Sequence, residues 1–169
     1  MSENNYRGDK KLYDVLDKES IPFEYYEHPA VPTIEDVVKY KKGIESTFCK
    51  NLFFRNHKGN RHYLIILEHL CQLNIKDLEK RLKQGKISLA SPKRLEKYLG
   101  LQGGSVSPFG LIHDQDNHVH IFIDENLQHA EKLSFHPNLN TASLVVKNED
   151  FIKFLDQTGN SYEFIKLYD

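Results

Sequence analysis

At 169 residues, with a formal net charge of −1, 39% hydrophobic and 28% charged residues, the chain is long enough for one well-buried core and too apolar to be disordered. That charge balance excludes a surface built for indiscriminate polyanion binding, DNA included, and no apolar run reaches the length of a membrane span. Cys49 and Cys71 lack CxxC spacing and read as free buried thiols, and the N-terminus lacks the apolar core of a signal peptide, so a single cytoplasmic domain over residues 1–169 is expected.

Residues Asp9 to Ser20 carry Leu12, Val15 and Leu16 at helical spacing among charges, which predicts an amphipathic helix ended by Ile21-Pro22. Phe23 to His28 reads as a short strand. Thr33-Ile34-Glu35-Asp36 resembles a capping box that opens a helix through Lys42, stopped by Gly43. Thr47 to Arg55 is β-rich, and the turn sequence Asn56 to Asn60 leads into the apolar run Tyr63 to Leu67, so these two strands should form a central hairpin. Asn74 is positioned to cap a basic helix through about Lys83, with Ile75, Leu78 and Leu82 as its buried stripe. Ser91 as N-cap, Pro92 at N1 and Gly100 at the end frame the next helix.

Phe109 to His113 and Val119 to Asp124 flank the polar turn Asp114 to Asn117, which predicts a second hairpin. Leu133 to His136 and Thr141 to Lys147 read as further strands. Asn148 is expected to cap a final helix ending at Gly159, after which Ser161 to Leu167 closes the sheet. The fold class is α/β (α+β), with helices around a mixed, mostly antiparallel sheet.

Gly100 to Gly110 holds four glycines and Pro108, a composition that no helix or ordinary ladder strand tolerates. It reads either as a helix cap plus turn or as an exposed backbone surface that holds a ligand. No nucleophile elbow, Walker loop, HExxH or CxxC pattern is present. His118 and His120 share one face of a strand, but no array of further ligands completes a metal site, and neither metal nor cofactor is expected. Cys49-Lys50-Asn51-Leu52-Phe53-Phe54 places Lys50 inside an otherwise apolar strand, as an edge charge that deters aggregation or as an ammonium at a pocket rim. His136-Pro137-Asn138 is similarly a turn or the wall of a polar pocket. Basic stretches occur at Lys39-Tyr40-Lys41-Lys42, at Lys76 to Lys86, and at Lys93, Arg94 and Lys97.

Lys50-Asn51-Leu52-Phe53-Phe54, Leu89 to Leu95, Gly104-Ser105-Val106-Ser107-Pro108-Phe109 and Phe135 to Thr141 together resemble, in order, the motifs of the YbaK-type aminoacyl-tRNA deacylases. The likeness is to the free-standing PrdX or ProXp-ala relatives of the bacterial prolyl-tRNA synthetase editing domain, over about residues 8 to 165. It implies a compact domain around a curved sheet and hydrolysis of alanine wrongly esterified to proline tRNA, with Cys-tRNA(Pro) hydrolysis or a non-catalytic tRNA- or synthetase-binding module as alternatives. The resemblance puts Lys50 at the catalytic pocket and Gly104 to Pro108, including Ser105, Val106 and Ser107, in the family's GxxxP loop. It makes His136 a lining residue of the aminoacyl pocket, with Asn51 at its floor and Asn138 nearby. Water would be activated with help from the terminal ribose hydroxyl of the tRNA. Lys93 and Arg94 would hold the tRNA acceptor stem while its 3′ aminoacyl end enters, and prolyl-tRNA synthetase is a possible partner.

Overall fold

The computed structural model describes residues 5–30 and 45–169. The helix expected over Thr33 to Lys42 and the basic stretch Lys39 to Lys42 lie outside the described residues. Four helices are present among those described, α1 (Lys10–Lys18), α2 (Ile75–Leu82), α3 (Pro92–Leu99) and α4 (Asn148–Thr158). The strands are β1 (Glu24–Glu27), β2 (Thr47–Asn56), β3 (His62–Glu68), β4 (Ile87–Leu89), β5 (Val119–Asp124), β6 (Lys132–Phe135), β7 (Ala142–Lys147) and β8 (Tyr162–Ile165).

Local capping chemistry accounts for three of the helix starts. Asp9 accepts from Lys11 N at 3.0 Å, Asn74 from Asp77 N at 3.2 Å, and Ser91 from Arg94 N at 3.2 Å with Pro92 behind it. Gly100 ends α3 at φ 64°, the left-handed conformation that favours glycine. The last helix departs from expectation. Lys147 occupies the N-cap without a side-chain bond, while Asn148 Nδ2 reaches away to the carbonyls of Leu127 and Ala130 at 2.8 and 2.7 Å.

The strands form one mixed sheet in the order β1-β7-β6-β2-β3-β5-β8, with β4 also paired to β2. β2 and β3 make the expected hairpin, with Lys50 opposite Leu67 and Phe54 opposite Tyr63. Antiparallel pairs β1–β7, β6–β7, β2–β3 and β2–β4 coexist with parallel pairs β2–β6, β3–β5 and β5–β8. The second hairpin does not form. Pro108–His113 is a 3-10 helix, because Ser107 caps it by accepting from Phe109 N at 3.1 Å and Pro108 at its first position has no N–H to give a ladder.

Side chains alternate across the strands, so each face has its own core. On the first face Phe53, Leu64, Ile66, Ile121, Phe135 and Leu144 pack beneath α1, α3, α4 and the 3-10 helix, which contribute Leu12, Leu16, Leu95, Leu99, Phe109 and Phe151. On the second face Phe54, Tyr63, Ile65, Leu67 and Phe122 pack against Leu78 and Leu82 of α2 and against Leu167. The core is thus built on both sides of β2, β3 and β5.

Candidate active site

β2 is an interior strand with an interrupted edge. Its β6 ladder ends at Phe48 opposite Ser134, and its β4 ladder begins at Phe54 opposite Leu89, extended by Ala90 N donating to Phe53 O at 2.8 Å. Among the described residues no ladder partner covers the stretch between. Lys50 and Asn51 stand in this gap, so Lys50 is neither a simple edge-strand charge nor a core residue. Its Nζ donates to Cys71 O at 2.8 Å, which fixes the ammonium on the second face, beside the loop that follows β3.

The continuing register brings the other candidates to the same place. His136 follows β6 by one residue, and two residues beyond the Phe48–Ser134 pair lie Lys50 on β2 and His136 beyond β6. Both positions therefore fall on the second face just past the end of the parallel ladder, with the Lys50 ammonium turned toward the loop after β3. His136 Nδ1 lies 2.8 Å from Ala142 O, and a carbonyl only accepts, so Nδ1 carries the proton and Nε2 is left as an acceptor. Burial holds the imidazole below its ordinary range, so it stays neutral near pH 7.

The glycine loop approaches the same turn from the first face. Gly104 adopts φ 87°, and a Cβ placed there would stand 3.2 Å from Asn140 Nδ2, in the turn that carries His136 and Asn138. Asn138, itself left-handed at φ 63°, donates through Nδ2 to Asp9 at 3.1 Å and to Phe109 O at 3.4 Å. Asp9 also pairs with His113 and caps α1, so one carboxylate ties α1, the 3-10 helix and the β6–β7 turn together. Burial alone would raise its pKa, but the hydrogen bonds of His113 and Asn138 outweigh it, and the carboxyl is pulled below its ordinary value. Within the loop, Ser105 N donates to Gln102 O at 3.1 Å, Val106 packs on the first core, and Ser107 and Pro108 form the buried start of the 3-10 helix.

Buried polar atoms without a partner occur near the gap on both faces. Among the described residues they include Asn51 Oδ1, opposite Ile66 on the first face, Ser134 Oγ, on the second face at the end of the β6 ladder, and Asn138 Oδ1, in the turn after β6. Buried polar groups are normally paired, so each is a point where a ligand or water could bind. A separate groove of about 840 Å³ lies among Tyr6, Tyr13, Phe23 and α1, away from Lys50 and His136.

Other sequence candidates have structural occupations. Arg94 Nη1 donates to Gly59 O at 2.8 Å and contacts His62 Nε2 at 3.1 Å, which ties the start of α3 to the β2–β3 turn. Lys93 beside it is exposed at the α3 N-terminus, three residues past Ala90 at the far side of the gap. His118 and His120 do not share a site, since His118 Nε2 pairs with His62 Nδ1 at 2.8 Å and His120 with Ser161 Oγ at 2.7 Å. No group of three or more metal-ligating side chains occurs among the described residues. Cys49 and Cys71 are free and half-buried rather than fully enclosed.

Sequence reasoning missed His28, Ser134 and Ser143, which stand on the second face of β1, β6 and β7 close to His136. The signal was available: His28-Pro29 at the end of β1 repeats the His136-Pro137 pattern beyond β6.

Residues 28–154 match the aminoacyl-tRNA editing domain family. The chain is 37% identical over 152 residues to the prolyl-tRNA editing protein ProX of Acetoanaerobium sticklandii, covering 90% of this chain and 93% of that one. It is 31% identical over 145 residues to the prolyl-tRNA synthetase associated domain-containing protein 1 of Mus musculus, covering 83% and 85%. The solved structure of a protein provisionally assigned as a trans-editing enzyme for prolyl tRNA synthetase shares the fold, with a TM-score of 0.68 at 19% identity over 95% of this chain and 99% of that one. By this extent of match and this fold, the chain belongs to the aminoacyl-tRNA editing domain family and is an aminoacyl-tRNA deacylase.

Proposed function

We propose that this deacylase is a free-standing editor that removes alanine wrongly esterified to proline tRNA. The reading rests on one observation above the others: among the described residues one edge of β2 is left without a ladder partner between its β6 and β4 pairings, and Lys50 and Asn51 stand in that gap, next to the turn that follows β6. Likeness to the prolyl-tRNA editing protein ProX, along nearly the full length of that protein, supports action in trans. A match to the proline--tRNA ligase of Thermotoga neapolitana over 62% of this chain but 17% of that one fits the same module built into a larger enzyme.

An aminoacyl ester is already an activated acyl group, so orientation and charge at the developing oxyanion are enough to speed its hydrolysis. Lys50, held by the Cys71 carbonyl, supplies positive charge beside the ester, and the Gly104 to Pro108 loop supplies a wall of backbone. His136 is neutral and hydrogen-bonded away from its Nε2, which suits a lining residue better than a proton-transfer catalyst. The attacking water is activated with help from the terminal ribose hydroxyl of the substrate. Asn51 and Asn138 border the acyl group, and exclusion of the larger prolyl ring sets specificity, because attraction for one methyl is worth only about 1–3 kcal/mol. Lys93 holds the acceptor stem at the rim. Arg94 supports it by fixing the start of α3, with tRNA contact confined to donors not used by Gly59. The protein works in the cytoplasm, with prolyl-tRNA synthetase as a partner.

A deacylation panel with Ala-, Cys-, Ser- and Pro-charged proline tRNA tests this. Rapid loss of alanine alone is expected. Preferred loss of cysteine would replace the substrate, and binding without turnover of any ester would overturn the enzymatic assignment.

A further inference from the structure

Beyond Lys50 and His136, the second face carries a buried polar pair that the proposed reaction has not used. His28 and Ser143 are 8% and 6% exposed, and His28 Nε2 lies 2.8 Å from Ser143 Oγ. His28 Nδ1 lies 3.1 Å from Pro29 O, a group that only accepts. The proton therefore sits on Nδ1, Nε2 accepts, and the Ser143 hydroxyl donates to it. With its one proton committed, Ser143 Oγ turns only lone pairs to any further neighbour.

The same logic applies to His136, whose Nδ1 proton is committed to Ala142 O, leaving Nε2 as an acceptor. The two imidazole centroids are 5.6 Å apart. The register sets His136 across from Ser143, one step beyond the Phe135–Leu144 pair. Ser134, 4% exposed, stands one position back on the same face, and its Oγ has no partner. Two backbone carbonyls, those of Pro29 and Ala142, thus impose tautomers that leave His136 Nε2 and Ser143 Oγ as fixed acceptors, while the Ser134 hydroxyl can donate or accept. The two fixed acceptors offer nothing to a carboxylate or phosphate. They suit a group with several N–H donors and a positive charge.

We propose that Ser143 and His136, oriented by His28, bind the α-ammonium group of the aminoacyl ester. This inference rests on the deacylase reading and adds the chemical feature of the acyl group that is recognised. An aminoacyl ester carries its ammonium and its carbonyl on neighbouring carbons. The acceptor wall on β6 and β7 and the Lys50 ammonium on β2 share the second face, so the ester would lie along that face with its ammonium at Ser143 and His136 and its carbonyl end toward β2. Recognition by side-chain size is then supplemented by a requirement for a free amino group.

The test uses acceptor-stem RNA hairpins of proline tRNA that carry a non-hydrolysable amide at the 3′ end. In one the acyl group is L-alanyl, and in the other it is isobutyryl, in which a methyl replaces the ammonium. Dissociation constants for the full chain are measured by calorimetry, and hydrolysis of the corresponding alanyl ester is followed in parallel. The alanyl hairpin is expected to bind at least tenfold more tightly, equivalent to about 1.4 kcal/mol. Ser143→Ala should remove most of that preference and Ser143→Thr, which restores a hydroxyl, should recover it. Equal affinity of the wild-type protein for the two hairpins, or binding of neither, overturns the inference whether or not either variant folds. Preference for the alanyl amide without hydrolysis of the ester would leave the ammonium site standing and remove the deacylase mechanism. Hydrolysis without preference would do the reverse.

Discussion

Gly103 and Gly104 are adjacent in the chain and differ sharply in what the fold asks of them, so alanine at each position separates a structural demand from mere flexibility. Gly104 sits at φ 87°, where an L-residue is strained by about 1–2 kcal/mol. Its new Cβ would stand 3.2 Å from Asn140 Nδ2, a contact relieved by moving that amide a few tenths of an ångström. Gly103 has no left-handed φ and nothing within 4 Å of an added Cβ. Gly104→Ala should therefore cost about 1–2 kcal/mol, which lowers the melting temperature by about 2–8 °C in a domain of this size. Gly103→Ala should be neutral or stabilise by up to about 1 kcal/mol, because the unfolded chain loses freedom that the fold does not need. Urea unfolding with a shared slope measures both. Displacement of Asn140 is passed to the turn bearing His136 and Asn138, so kcat/KM for the ester should fall about tenfold in Gly104→Ala and hardly at all in Gly103→Ala. Equal effects at the two positions would refute the assignment of Gly104 as the constrained point of contact.

Removing the Asp9 carboxylate should cost about 2–4 kcal/mol, since it deletes a helix cap and charge-assisted bonds to His113 and Asn138. Its folded pKa lies below the ordinary 3.8, so this stabilisation is present above that value and fades as pH falls through the folded one; Asp9→Ala should show a shallower acid limb in urea unfolding. His62 behaves with the same sign for a different reason. Burial, followed by the neighbouring His118 and Arg94, pushes it down to about 4, so below pH 6.5 the unfolded chain takes up a proton that the folded chain refuses. Stability should decline by about 3 kcal/mol between pH 6.5 and pH 4 from this group, and His62→Gln should lose less over that window. Lys93→Glu should weaken binding of charged and uncharged tRNA alike and reduce the salt dependence of affinity, measured by filter binding at several salt concentrations. A change in turnover with binding intact would contradict its place at the rim.

Features decided by near neighbours were legible in the sequence. Asn74, Ser91, Pro92 and Gly100 punctuate their helices as their side chains require, and the Asn56 to Asn60 turn brings β2 and β3 into a hairpin. Features decided by distant partners were not. The apolar run Phe109 to Leu111 reads equally as strand or buried helix, and Ser107-Pro108 repeats the Ser91-Pro92 signal that settles it as helix. Asn148 has the chemistry of a cap, but the carbonyls of Leu127 and Ala130 compete for its amide and win. β4 is too short to stand out, although it bounds the gap that exposes Lys50. The parallel β2–β6 register, which carries Lys50 and His136 to the same face past its end, links segments more than 80 residues apart, and no local pattern encodes it. Arg94 shows the limit of reading basic clusters as nucleic-acid sites, because Gly59 and His62 already claim part of its guanidinium.

The role of Lys50 is tested most directly by single-turnover hydrolysis of Ala-tRNA(Pro) by wild-type protein and Lys50→Ala, with urea unfolding as a control for the fold. Loss of a preorganised charge at the oxyanion predicts a rate lower by about a hundredfold or more, with unfolding free energy within about 1 kcal/mol of wild type. An unchanged rate in a folded Lys50→Ala protein would contradict the placement of the active site at the gap in β2.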